Sequence, residues 1–97
     1  MSAFFRCFAC AAMAILIAGP IHAACYADYR AAMENPLRLH YGVIAVPEDQ
    51  CSIVAAEHII APRIAVDGWV LLQVISVFDD TGLAERRQDA GAHYLRF

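Results

Sequence analysis

Apolar and polar positions alternate with different periods along this chain. The first apolar block, Cys7–Ala18, is unbroken and is cut short by Gly19-Pro20. Tyr26, Tyr29 and Met33 then recur at helical spacing before Asn35-Pro36. The residue ahead of a proline is pushed out of the α region, so this predicts a short amphipathic helix over Tyr26–Glu34. Leu37–Val46 alternates at first, becomes wholly apolar, and stops at Pro47, which reads as a strand. Ile53, Ala56, Ile60 and Ile64 lie three and four apart, the inward stripe of a helix from about Ser52 to Ala61. Ser52 is placed to cap it, and Pro62 predicts a kink or stop followed by an extra turn over 62–66. Asp67-Gly68 predicts a tight turn, and Trp69–Phe78, rich in branched and aromatic residues, predicts the firmest strand. After the turn Asp79–Gly82 comes the charged, helix-compatible segment Leu83–Asp89, expected as a solvated insertion. Ala92–Phe97 is expected as a final strand.

These elements make an α+β domain. A small antiparallel sheet of about three strands carries one main helix on one face, with a short N-terminal helix besides. In Trp69–Phe78 both parities are mainly apolar: Trp69, Leu71, Ile75 and Val77 on one side, Val70, Leu72, Val74 and Phe78 on the other. A sheet covered on one face only shows polar residues on the other. Something must therefore cover the second face, either the N-terminal helix or a second copy of the domain.

The segments Leu39–Val46, Ile53–Ala65, Gly68-Trp69-Val70-Leu71 and Tyr94-Leu95-Arg96 together resemble a family of small bacterial domains known as domain of unknown function 4177. The resemblance spans about Leu37 to Phe97 and rests mainly on the short Gly-Trp-x-Leu strand start. It implies an antiparallel sheet with a helix across one face, and it implies no activity. The chain departs from that pattern in its Cys25 segment, in Pro62 within the helix, and in the long Leu83–Gly91 connection.

The leading segment changes the setting of the domain. Arg6, the short apolar run and the small residues Ala23 and Ala24 form the three-part pattern of a secretory signal peptide over 1–24, with cleavage after Ala23 or Ala24. The domain is then residues 25–97. Two alternatives stay open: an uncleaved anchor, for which the apolar run falls short of the roughly 20 residues a span requires, and a lipoprotein acylated at Cys25. The expected location is periplasmic or secreted, with membrane contact only through the leader.

Without the leader, ten acidic residues face six arginines and no lysine. That balance argues against a nucleic-acid partner, which a basic patch normally meets. Cys7 and Cys10 leave with the leader, and Cys25 and Cys51 remain as an expected disulfide in an oxidising compartment. The competing reading is two free thiols.

Candidate chemistry is sparse. His40, His58 and His93 are scattered, without ligand spacing for a metal. Ser52, Ser76 and Thr81 are the only candidate hydroxyl nucleophiles, and none has a motif that pairs it with a base. No glycine-rich phosphate loop is present, so no catalytic residue, metal ligand or cofactor is assigned. Arg38 and Arg96 could form a small anion-binding edge if their strands neighbour each other. The expectation is a non-catalytic exported binding or interaction module, partnered by a second copy or an envelope protein. Trp69, Leu71, Leu72, Val74, Arg38 and Arg96 are its candidate surface. The runner-up readings are a small hydrolase-like enzyme and a lipid-anchored envelope protein.

Overall fold

A computed structural model describes residues 24–97, so the leader reading falls on residues outside those described, Ala24 apart. Three antiparallel strands form the sheet: β1 (Cys25–Met33), β2 (Arg38–Val46) and β3 (Val70–Phe78). Helix α1 (Ile53–Ala65) joins β2 to β3, and α2 (Leu83–Ala90) follows β3. The order across the sheet is β2-β1-β3, which puts the first strand in the middle. Among the described residues no helix is long and apolar enough to cross a membrane.

The α+β class and the main helix on one face are as expected, but the elements differ in three places. Tyr26–Glu34 is not a helix. Its residues form the central strand, and both neighbours pair with it along most of its length. Period two rules there: Cys25, Ala27, Tyr29 and Ala31 join the core beneath α1, while Tyr26, Asp28, Arg30 and Ala32 face the other way. Three of the four α1-facing positions are small, which lets the helix lie close to the sheet.

The second difference is at Pro62, where α1 runs on to Ala65. Pro62 is exposed, and the added turn buries Ile64 completely. Gain from that burial outweighs one lost helical hydrogen bond on the solvent side. Ser52 caps the helix as expected, its Oγ accepting from the Ala55 backbone N–H at 3.1 Å.

The third difference is the C-terminus, where Ala92–Phe97 is not a strand. Gly91–His93 forms a 3₁₀ turn, Tyr94 makes a single parallel bridge to Val43, and the Leu95 N–H donates to the Val43 carbonyl. Leu95 then takes φ 54°, the left-handed region, and the chain turns so that Phe97 packs against the core. The segment expected as a solvated insertion is α2, and its last residue, Ala90, is buried.

Cys25 and Cys51 are joined, with Cα atoms 5.9 Å apart. The bridge ties the start of the central strand to the residue before the α1 cap. The core itself is Tyr29, Ile44, Ile60, Ile64 and Val74 with the small residues of β1 and Ala56.

Candidate functional site

Two polar clusters and one open surface stand out. The first cluster centres on Asp28, on the face of β1 away from α1. Its carboxylate accepts from Ser76 Oγ at 2.7 Å, Tyr41 Oη at 2.8 Å and Arg86 Nε at 3.0 Å. Burial alone would raise the Asp28 pKa. The hydrogen bonds from Ser76, Tyr41 and Arg86, with the Arg86 charge, outweigh it and hold the carboxyl below its ordinary value. The Tyr41 hydroxyl is pushed up, first by burial and then by its bond to Asp28. Arg86 also lies over the Phe78 ring at 3.9 Å and donates to the Gly82 carbonyl. This network clamps α2 onto the second face of the sheet. It also bears on Ser76 as a nucleophile: the base it bonds to is a carboxylate held low and bonded to three donors, a poor proton acceptor near neutral pH. Thr81 bonds to Asp79 within its own turn.

The second cluster was invisible in the one-dimensional pattern. His40 and His93 stack with ring centroids 3.7 Å apart, and Trp69 meets His40 edge-on at 4.2 Å. His40 Nε2 shares a hydrogen bond with the Tyr29 hydroxyl at 3.0 Å, while Nδ1 of both histidines is buried without a partner among the described residues. Burial, then the neighbouring His93, lowers the His40 pKa to about 4. His93 is lowered by burial and by Arg96. Both rings are therefore neutral, and they fasten the C-terminal segment to the sheet. His58 stands apart, exposed on α1. Among the described residues no group of three or more His, Cys, Asp or Glu could hold a metal ion.

The anion-binding edge requires Arg96 on a strand beside that of Arg38, and Arg96 belongs to no strand. Arg38 lies over Trp69, with Nη2 2.8 Å from Met33 Sδ, and Arg96 pairs with Asp67 at 3.6 Å. Of the apolar surface candidates, Val74 is buried beneath α1, and Trp69 and Leu71 pack against the core. Leu72 is exposed at the bulge of β3, bordering both a cavity with Arg30, Leu39 and Tyr41 and one with Glu57, His58 and Ala61 of α1.

The side of the sheet away from α1 is the open surface. α2 covers the second face only at the end carrying Asp28, Ser76 and Phe78. At the hairpin end the register sets Leu39, Ala32 and Val70 in one row across the three strands, with Tyr41, Arg30 and Gln73 in the next. Leu39 is 66% exposed, Val70 62%, Leu72 58%, and Leu37 in the hairpin turn 66%. A shallow cavity of about 320 Å³ lies here between Arg30, Leu39, Tyr41 and Leu72. Neither Arg30 nor Glu34 has an ion pair or side-chain hydrogen bond among the described residues. Sequence reasoning found Leu72 and missed Leu39, Val70 and Arg30. Reading Tyr26–Met33 at period two would have put Arg30 and Ala32 on one face.

Comparison of the chain with family models, with curated proteins and with solved structures finds no match.

Proposed function

We propose that this protein is a non-catalytic, exported interaction module that self-associates through the open half of its sheet. The observation that carries the reading is the row Leu39–Ala32–Val70 with Leu72 and Leu37 beside it. Leu39, Val70 and Leu72 lie more than half exposed around Ala32 and Arg30, with exposed Leu37 in the adjoining hairpin turn. Patches of this kind mark interaction sites on soluble proteins. The Cys25–Cys51 disulfide is consistent with an oxidising, exported location, and the leader pattern is the reason for expecting passage to the periplasm or beyond.

The non-catalytic part of the reading rests on how the polar groups are used. Asp28, Ser76, Tyr41 and Arg86 satisfy one another, and buried His40 and half-buried His93 serve packing. The open face carries a shallow, mainly apolar cavity, and the Tyr41 hydroxyl that borders it is already committed to Asp28.

The test is a photo-crosslinking residue at position 72 in the full chain, expressed with its leader. The expected adduct in the periplasmic fraction has twice the mass of the domain, and its N-terminal sequence begins at Ala24 or Cys25. An adduct of any other mass would assign the face to a different protein. Protein retained intact from Met1 in the cytoplasm would end the export reading.

A further inference from the structure

Resting on that reading, we infer that the second copy docks face to face about a two-fold axis lying along the Leu39–Ala32–Val70 row. In this arrangement Arg30 of each copy meets Glu34 of the other.

Packing one sheet face on its own copy requires a two-fold axis in the plane between the sheets. Two orientations keep the strands aligned. An axis parallel to the strands sets each level of the sheet over the same level of its copy. Arg30 would then face Arg30, and α2 would lie over α2. Since α2 stands on the second face at the Asp28 end, two such helices would hold the open halves well beyond the ~10 Å at which sheet faces interdigitate. Both charge and shape reject that axis.

An axis along the row reverses the strand direction and keeps β1 over β1. Ala32 lies on the axis, small and buried at 8% exposure, while Leu39 and Val70 flank it as its register partners on either side. Each apolar residue of the row then meets its own copy. Arg30 lies two residues before Ala32 on the strand and Glu34, the first residue of the hairpin turn, two beyond it, so reversal brings Arg30 of one copy toward Glu34 of the other, neither having an ion partner among the described residues. The same operation separates the helices. At ~3.3 Å per residue, Asp28 and the α2 it anchors begin ~13 Å from the axis. The partner's hairpin turn, Glu34–Leu37, reaches slightly less far and fits alongside α2, so exposed Leu37 gains a neighbour. One operator thus answers three observations: the exposed row, Arg30 and Glu34 without ion partners among the described residues, and a helix that covers only half the face.

Charge reversal tests the register. Full-length protein, expressed with its leader and purified from the periplasm, is compared as wild type, Arg30→Glu, Glu34→Arg and the double variant, by sedimentation equilibrium at low salt. Each single variant places like charges together and should weaken association at least tenfold. The double variant should return to within about threefold of wild type. Melting temperatures at a concentration where all four are monomeric confirm that the exposed substitutions leave the fold intact. Singles that associate like wild type, or a double no tighter than the singles, overturn the register. Leu72→Glu in the same series separates the two claims. If it dissociates the assembly while the double variant fails to recover, the face stands and the axis falls. If it leaves the assembly unchanged, the face itself is wrong.

Discussion

Gly42 and Tyr29 carry a constraint that neither shows alone. A Cβ built on Gly42 would stand 2.5 Å from the Tyr29 ring, so the ring lies across the glycine. Tyr29 is fully buried, its hydroxyl raised to about 12 by that burial, and it is held by His40. The ring has no free direction in which to yield. Gly42→Ala should therefore destabilise by roughly 2–3 kcal/mol, the cost of overpacking a fixed core, measurable by urea unfolding. A loss under 0.5 kcal/mol would contradict that geometry. The His40–His93 stack makes a pH prediction. Both histidines are held neutral in the fold, with His40 near 4 against about 6.5 in the unfolded chain. Between those values the unfolded state binds more protons. Stability is therefore full above about pH 6.5 and falls as pH drops toward 4, by on the order of 2–3 kcal/mol. Urea unfolding at pH 7 and pH 5 should show the drop, and His93→Phe, which keeps a ring against His40, should make it shallower. An identical drop in that variant would place the titration elsewhere. His40 and His93 are 53 positions apart, and no local pattern signalled their contact.

The secondary elements were readable where burial is one-sided and misread where it is not. α1 and β3 stand close to their expected places because a stripe of isoleucines and a run of branched residues each have one interpretation. β1 was misread because Ala, Tyr, Arg and Met suit either period, and its helical spacing of aromatics is accidental to a strand whose α1-facing positions are mostly small. The final strand was misread for a different reason: β1 already fills the place beside β2, leaving the tail only the outer edge at Val43. α2 appeared as solvated charge because its anchor, Arg86, reaches a carboxylate 58 residues away. Asp28→Ala should release that anchor and strand three donors, costing about 3 kcal/mol. Amide exchange along α2 should accelerate more than in α1. Uniform acceleration would mean that Asp28 supports the sheet rather than the helix. The disulfide holds the other end of β1. Closing 26 residues contributes about 3.5 kcal/mol on the chain-entropy account, so Cys51→Ser should lower the melting temperature by more than 10 °C. A shift under 3 °C would show that the reduced chain keeps those ends together unaided.

For the molecule as a whole, the sequence already posed the question that the structure sharpens. Trp69–Phe78 is apolar on both sides, so both sheet faces require cover. The structure gives α1 to one face and α2 to half of the other, and the remaining half exposes Leu39, Val70 and Leu72 around Arg30. Which parity lay outward could not be read from the strand alone, because two register shifts against β1 interrupt its alternation. With the packing known, Leu71 and Leu72 become contrasting controls. Leu71 packs under α1, and a charge there should unfold the domain, whereas Leu72 is free to accept one. The most direct measurement is sedimentation of the periplasmic protein at micromolar concentration, wild type beside Leu72→Glu, with a thermal melt of each. The account predicts a dimer for wild type and a folded monomer for Leu72→Glu with a melting temperature equal to that of diluted wild type. A wild-type protein that remains monomeric at high concentration, or a Leu72→Glu protein that remains a dimer, would contradict it.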